Sequence, residues 1–208
     1  MLKILMITIL FIFSNNISFA SEYVIFSICS DASIDYLDHV NNAQVFFGHH
    51  SWLAITNLNK ETIKINSIAL KSRETMTIGT WQGSIHNGIF YNVERFYYDK
   101  GEFSLNQSAY NMQLLNEFGL NYLNSIITNE NNDVWSISNN CANFAERTWN
   151  SLSKQNSNHK VIINAGIIKT PIKLYESILQ SGGKIGLIMP GVGSKIYYGA
   201  KKVVEFEL

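Results

Sequence analysis

The sequence predicts a mixed α+β domain in which an antiparallel sheet packs on helices. Three observations carry this. Tyr23-Val24-Ile25-Phe26-Ser27-Ile28-Cys29 and the stretch from Gln44 to Asn57 are apolar, β-type runs. Leu114, Leu115, Phe118, Tyr122, Leu123 and Ile126 recur at helical spacing, as do Phe144, Ala145, Thr148, Trp149 and Leu152. The chain has 208 residues, 46% of them hydrophobic, which suits one core that buries roughly 70% of the unfolded surface.

The first element in the chain is an export signal. Lys3 precedes a run from Ile4 to Phe13 that is apolar apart from Thr8, and Ser14-Asn15-Asn16 ends it. Ser18-Phe19-Ala20 then puts small residues where a signal peptidase inspects them, so cleavage is expected between Ala20 and Ser21. About ten apolar residues span only ~15 Å as a helix, roughly half a bilayer core, so no membrane anchor is expected to remain. Residues 1–20 are thus read as a signal peptide and residues 21–208 as one domain, exported to the periplasm or secreted. The formal net charge is zero, and no basic tract argues for nucleic acid.

Within the domain, Asp31 to Asn42 has capping and helical character, and Gln44 to Asn57 reads as a long strand interrupted by Gly48. Thr62 to Leu70 alternates as a returning strand, which predicts a hairpin with its predecessor across Asn57-Leu58-Asn59-Lys60. Gly79 to Tyr98 reads as strands and loops without sharp boundaries. Ser104-Leu105-Asn106-Gln107 has the capping-box form and predicts the start of the helix that Ile126 closes. A second helix is expected to start near Asn140 or Cys141, capped by Asn139 or Asn140. A third runs from Thr170-Pro171 to Gly182-Gly183, with threonine as cap and proline in the first turn. Lys184 to Met189 and Lys195 to Phe206 are expected as strands.

Chemistry concentrates at Cys141, which Asn139-Asn140-Cys141-Ala142-Asn143-Phe144 sets in the first turn of a helix. A free thiol is only about 3% ionised at pH 7, and a helix terminus contributes ~0.3–1 kcal/mol, so a neighbouring histidine cation is needed as well. Of the five histidines, His39 and His159 stand in polar surroundings and His86 in a loop. His49 and His50 lie where Phe46-Phe47-Gly48 meets Ser51-Trp52-Leu53, so an imidazole enters an apolar strand and needs a partner. The bland alternative for the two mature cysteines is a disulfide between Cys29 and Cys141, although Cys29 sits in the apolar run expected to bury an inert thiol. Adjacent histidines on a strand point to opposite faces and no carboxylate completes a helical ligand motif, so no metal or other cofactor is expected.

His50-Ser51-Trp52-Leu53, Gly79-Thr80-Trp81, Ser104-Leu105-Asn106-Gln107, Asn140-Cys141-Ala142-Asn143-Phe144 and Thr170-Pro171 follow one another over roughly residues 44 to 180. In this order they resemble the circularly permuted NlpC-like cysteine hydrolases. The resemblance implies a papain-like core with the nucleophile at a helix N-terminus. It makes Cys141 the nucleophile and His50 the general base. The glycine directly before the histidine keeps His49 as a rival, while the aromatic and aliphatic residues after it favour His50. The backbone N–H of Cys141 would bind the oxyanion, with the Asn140 side chain as a further donor, and Asn66 is the candidate third residue orienting the imidazole.

The implied activity is hydrolysis of an amide bond through a Cys–His acyl-enzyme, most simply in peptidoglycan peptides. Relatives acting on lipid esters or host proteins keep a secreted effector open. The competing class is a non-catalytic envelope binding module of the same fold, with Trp81, Tyr91, Phe96, Tyr97 and Tyr98 as a contact surface. The expected partner is peptidoglycan or another extracytoplasmic amide or ester, met by a monomer.

Overall fold

A computed structural model describes residues 23–31, 36–38, 43–45, 50–100, 105–156, 160–191 and 195–206. The signal-peptide segment and His49 lie outside the described residues. The architecture is mixed α+β: among the described residues, an eight-stranded antiparallel sheet with four helices. Its strands are β1 (Val24–Asp31), β4 (His50–Asn57), β7 (Thr75–Gln82), β8 (Asn87–Tyr91), β9 (Ala109–Leu115), β10 (Lys184–Ile185), β11 (Ile196–Tyr198) and β12 (Val204–Phe206). They lie in the order β10-β9-β1-β4-β7-β8-β11-β12. Two small hairpins stand apart from it, β2 (Tyr36–Asp38) with β3 (Ala43–Val45), and β5 (Ile63–Ile65) with β6 (Ile68–Leu70). The helices are α1 (Val93–Asp99), α2 (Glu117–Ile127), α3 (Cys141–Gln155) and α4 (Pro171–Gln180). Among the described residues no helix is long and apolar enough to cross a membrane.

Strand alternation builds a core on each face of the sheet. Phe26 and Ile28 on β1, Leu53 and Ile55 on β4, and Met76 and Ile78 on β7 join the larger core, beneath Phe144, Ala145 and Trp149 of α3 and Leu174 and Ile178 of α4. Cys29, Trp52 and Ala54 look the other way, into a smaller core against which Trp81, Tyr97 and Tyr98 pack. The aromatics of the Gly79–Tyr98 stretch thus mostly pack inward: Tyr91 is fully buried in the larger core, and Tyr97 and Tyr98 of α1 cover the smaller one.

Local rules set the helix starts. The Asn140 side chain accepts from the Asn143 N–H and caps α3, and the Thr170 hydroxyl accepts from the Lys173 N–H and caps α4, with Pro171 as its first residue. Three expectations fail where tertiary pairing overrides them. Ser104-Leu105-Asn106-Gln107 does not open a helix: Leu105–Gln107 form one 3-10 turn, Ala109–Leu115 become a strand on β1, and α2 starts at Glu117 behind the Asn116 cap. Residues 36–38, expected within a helix, form β2. β4 does not pair with the Thr62–Leu70 segment but lies between β1 and β7, so that both of its edges are satisfied inside the sheet. The 63–70 segment folds back on itself instead, with Asn66 and Ser67 both at positive φ in the tight turn.

Candidate functional site

His50 is the first residue of β4 and Cys141 the first of α3, and the fold brings the two together at one end of the sheet. The strand registers explain the meeting. Ser30 of β1 lies opposite Ser51 of β4, where the Ser51 and Ser30 hydroxyls are 2.8 Å apart and Ser30 Oγ donates to the Pro171 carbonyl at 2.7 Å. That bond ties the start of α4 to the strand ends beside which α3 also begins.

The Cys141 thiol and the His50 ring are hydrogen-bonded, and the sulfur also accepts from the backbone N–H groups of Ser51 and Ala142. The other side of the imidazole meets a residue that sequence reasoning missed. His50 Nε2 lies 2.7 Å from Oε1 of Glu94, which is wholly buried on α1. With Nε2 engaged by the carboxylate, Nδ1 is the nitrogen left to face the sulfur. Trp81 Nε1 donates to the same Glu94 oxygen at 3.1 Å, while Glu94 Oε2 has no hydrogen-bond partner among the described residues. The imidazole packs against two indoles, with ring centroids 3.9 Å from Trp81 and 5.9 Å from Trp52. Gly79 leaves the space for this: a Cβ there would stand 3.0 Å from Glu94 Oε1 and 3.1 Å from His50 Nε2.

The three groups come from three layers. α3 lies over the larger core and α1 over the smaller, with the β4 strand between them. Cys141 therefore reaches His50 from one side of the sheet and Glu94 from the other.

The electrostatics match the geometry. Burial pulls the His50 imidazolium down, but the negative charge of Cys141 and the hydrogen bond the ring donates to its sulfur, together with the Glu94 bond and charge, outweigh it and raise the pKa to about 9. Burial pushes the Cys141 thiol up, yet the His50 charge and bond, with the Ser51 and Ala142 N–H groups, bring it below its ordinary value. The pair favours thiolate and imidazolium over thiol and imidazole. Cys29 is the contrast: burial, and the Glu94 charge after it, push its thiol well up. Both cysteines are free, so no disulfide joins them.

Two expected roles meet a different geometry. Asn66 is not beside His50. It stands in the β5–β6 turn and donates to Tyr91 Oη at 2.6 Å and to the Ala200 carbonyl at 2.7 Å, because its strand pairs within its own hairpin and never comes alongside β4. The Asn140 side chain is committed as a cap, its Oδ1 to the Asn143 N–H at 2.9 Å and its Nδ2 to the Lys169 carbonyl at 3.0 Å, so the amide is not turned to an oxyanion. The backbone N–H of Cys141 remains, since the first N–H groups of a helix have no acceptor within it. His86, the loop histidine, binds Asp133 Oδ1 at 2.7 Å and pins the turn between β7 and β8. Among the described residues no group of three or more His, Cys, Asp or Glu is arranged to hold a metal ion.

Glu94 carried one sequence signal. An adjacent acid and base, Glu94-Arg95, stand amid Phe90, Tyr91, Phe96, Tyr97 and Tyr98, and charges in so aromatic a stretch are expected to be buried and paired. Arg95 obeys the same rule, donating to the carbonyls of Met189, Pro190 and Gly191 and pairing with Asp99. Comparison with protein-family models, with curated protein sequences and with solved structures finds no match to this chain.

Proposed function

We propose that the chain is an exported thiol hydrolase with a papain-like core, in which Cys141 is the nucleophile, His50 the general base and acid, and Glu94 the carboxylate that orients the imidazole. The single observation that carries this reading is the buried line Cys141–His50–Glu94, in which a thiol at a helix N-terminus bonds one side of an imidazole and a desolvated carboxylate bonds the other. A structural core cysteine needs neither partner.

The proposed reaction follows from the charges. The Cys141 thiolate attacks the carbonyl carbon of an amide, and the electron pair moves onto oxygen, where the Cys141 N–H at the start of α3 donates to it. The His50 imidazolium gives its proton to the leaving nitrogen as the C–N bond breaks, leaving a thioester and an amine. Water then gives a proton to the neutral imidazole and attacks the thioester, and Cys141 leaves as thiolate beside the restored cation. Glu94 keeps Nε2 protonated throughout, so that Nδ1 does the proton transfer.

The resemblance to the permuted NlpC-like hydrolases and the expected export favour an amide in peptidoglycan peptides as substrate. The test is incubation of mature wild type and Cys141→Ala with purified peptidoglycan and mass analysis of the released fragments. Wild type is expected to release peptides that the variant does not. Identical release by both, or none by wild type, would overturn the reading.

A further inference from the structure

α1 carries the carboxylate of the site, yet it is a weak helix by itself. It has seven residues, opens at Asn92 with φ 65° and has no side-chain cap bond, and a helix so short does not persist in water unaided. Its place is therefore set by what fastens it. Asn92 ties its start to β7, donating its N–H to the Thr77 carbonyl at 2.8 Å and accepting from the Thr77 N–H through Oδ1 at 3.2 Å. Asn92 Nδ2 donates to the Lys195 carbonyl at 3.1 Å.

Arg95 is the second fastening. Consecutive residues stand about 100° apart round a helix, so Glu94 and Arg95 leave α1 in different directions, the one to His50 and the other to the chain between β10 and β11. The buried guanidinium donates from Nη1 to the Met189 carbonyl at 3.1 Å and the Pro190 carbonyl at 2.8 Å, and from Nη2 to the Gly191 carbonyl. Nε and Nη2 engage the Asp99 carboxylate at 3.0 and 2.8 Å. Only a planar fork with five donors reaches so many acceptors at once; a lysine ammonium has three donors about one atom. The gripped segment is itself anchored. Gly186 donates its N–H to the Ser108 carbonyl at 3.1 Å, Met189 is buried in the smaller core with Leu187 packed against it, and Gly191, at φ 83°, leaves room for Glu74, whose Cα would stand 2.8 Å from a Cβ there.

We propose that Arg95 is a positioning residue of the site: by gripping the carbonyls of residues 189–191 it holds α1 where Glu94 meets His50. This rests on the thiol-hydrolase reading, in which Glu94 orients the imidazole. Glu94 lies between the two fastenings, Asn92 and Arg95, so the freedom of the carboxylate relative to the ring is set by both. Loosening the grip lengthens the Glu94–His50 bond, weakens the imidazolium and with it the Cys141 thiolate. The effect passes through Glu94 and shrinks where the carboxylate is gone.

The test is the pH dependence of Cys141 alkylation by iodoacetamide in the mature protein, read by mass analysis of the labelled peptide, a property that a merely structural arginine would not move. Arg95→Lys keeps the charge and loses the fork. It is expected to shift the onset of alkylation to higher pH, in the direction of Glu94→Gln, and to slow alkylation at pH 7 about threefold or more. In the Glu94→Gln background the same change is expected to add little. Gly191→Ala disturbs the grip from its other side, at an exposed residue, and is expected to act in the same direction; it decides the matter where Arg95→Lys does not fold. An unmoved onset in the folded variants overturns the proposal, and so does a slowing as large in the Glu94→Gln background as in wild type. Wild-type Cys141 that reacts no more readily than an ordinary thiol overturns the thiol-hydrolase reading itself. A low wild-type onset that the variants leave unmoved removes only the role of Arg95.

Discussion

Glu94 Oε1 and His50 Nε2 stand 2.7 Å apart, with both side chains almost wholly out of water. An ion pair so placed is little screened, and removing one partner strands the other. Glu94→Gln keeps the volume and takes the charge. It is expected to lower kcat/KM about tenfold or more and to raise the pH at which Cys141 becomes reactive. Hydrolysis assays and the pH dependence of Cys141 alkylation check both.

The ion pair also sets a pH window. Cys141 ionises below its ordinary value of 9.0, and His50 keeps its proton up to about 9. Alkylation of Cys141 is expected to set in at lower pH than that of an ordinary thiol. Activity falls on the alkaline side as His50 deprotonates near pH 9, because the leaving nitrogen then receives no proton. Since the folded pKa of His50 exceeds its ordinary 6.5, its protonation stabilises the fold fully below pH 6.5, and that part is lost as pH rises through about 9. In His50→Ala, burial acts on Cys141 without the cation, and its alkylation is expected to shift to higher pH than in wild type.

Gly79 has no positive φ to explain it; it is the space beside the imidazole that matters. Gly79→Ala puts a methyl group against Glu94 Oε1 and His50 Nε2. Overpacking of this kind costs about 1–3 kcal/mol, and the carboxylate–imidazole bond must lengthen to relieve it. The expected result is a lowered thermal midpoint together with a fall in kcat, with KM little changed.

Asn140 separates capping from oxyanion binding. Asn140→Asp keeps the cap of α3 while losing the amide that holds the Lys169 carbonyl, and Asn140→Ala loses both. Unfolding measurements are expected to show about 1 kcal/mol lost in Asn140→Ala and less in Asn140→Asp. A far larger fall in kcat than in stability for Asn140→Asp would return the side chain to the oxyanion.

The two thiols are expected to react in different states. Cys29 is buried with its thiol held protonated, so native protein takes up one equivalent of an alkylating reagent, at Cys141, and the second only on unfolding. Peptide mapping of the labelled sites checks the assignment.

Much of the site's local framework is written in short stretches of chain. Asn140 and Thr170-Pro171 start their helices wherever the rest of the fold lies, because a cap is satisfied within three residues. The same locality makes Cys141 a helix-terminal thiol and His50 an imidazole in an apolar strand, before any partner is known. What failed was non-local. The capping-box letters at Ser104 to Gln107 describe a helix start, yet Ala109–Leu115 find a strand partner in β1, some 85 residues away in the chain, and a sheet hydrogen bond outweighs a weak local preference.

The third residue shows the division most plainly. Asn66 was the candidate on the assumption that the segment after β4 pairs with it; β1 and β7 occupy both edges of β4 instead. Glu94, 44 positions from His50, arrives because α1 covers the smaller core on the opposite face from α3. The sequence by itself determined the kinds of chemistry this chain carries and where α3 and α4 start, since those depend on side-chain type and on neighbours a turn away. Which of those groups meet was decided by the order of strands in the sheet and by which face each helix covers, for a buried charge takes as its partner whatever the packing sets within 3 Å of it.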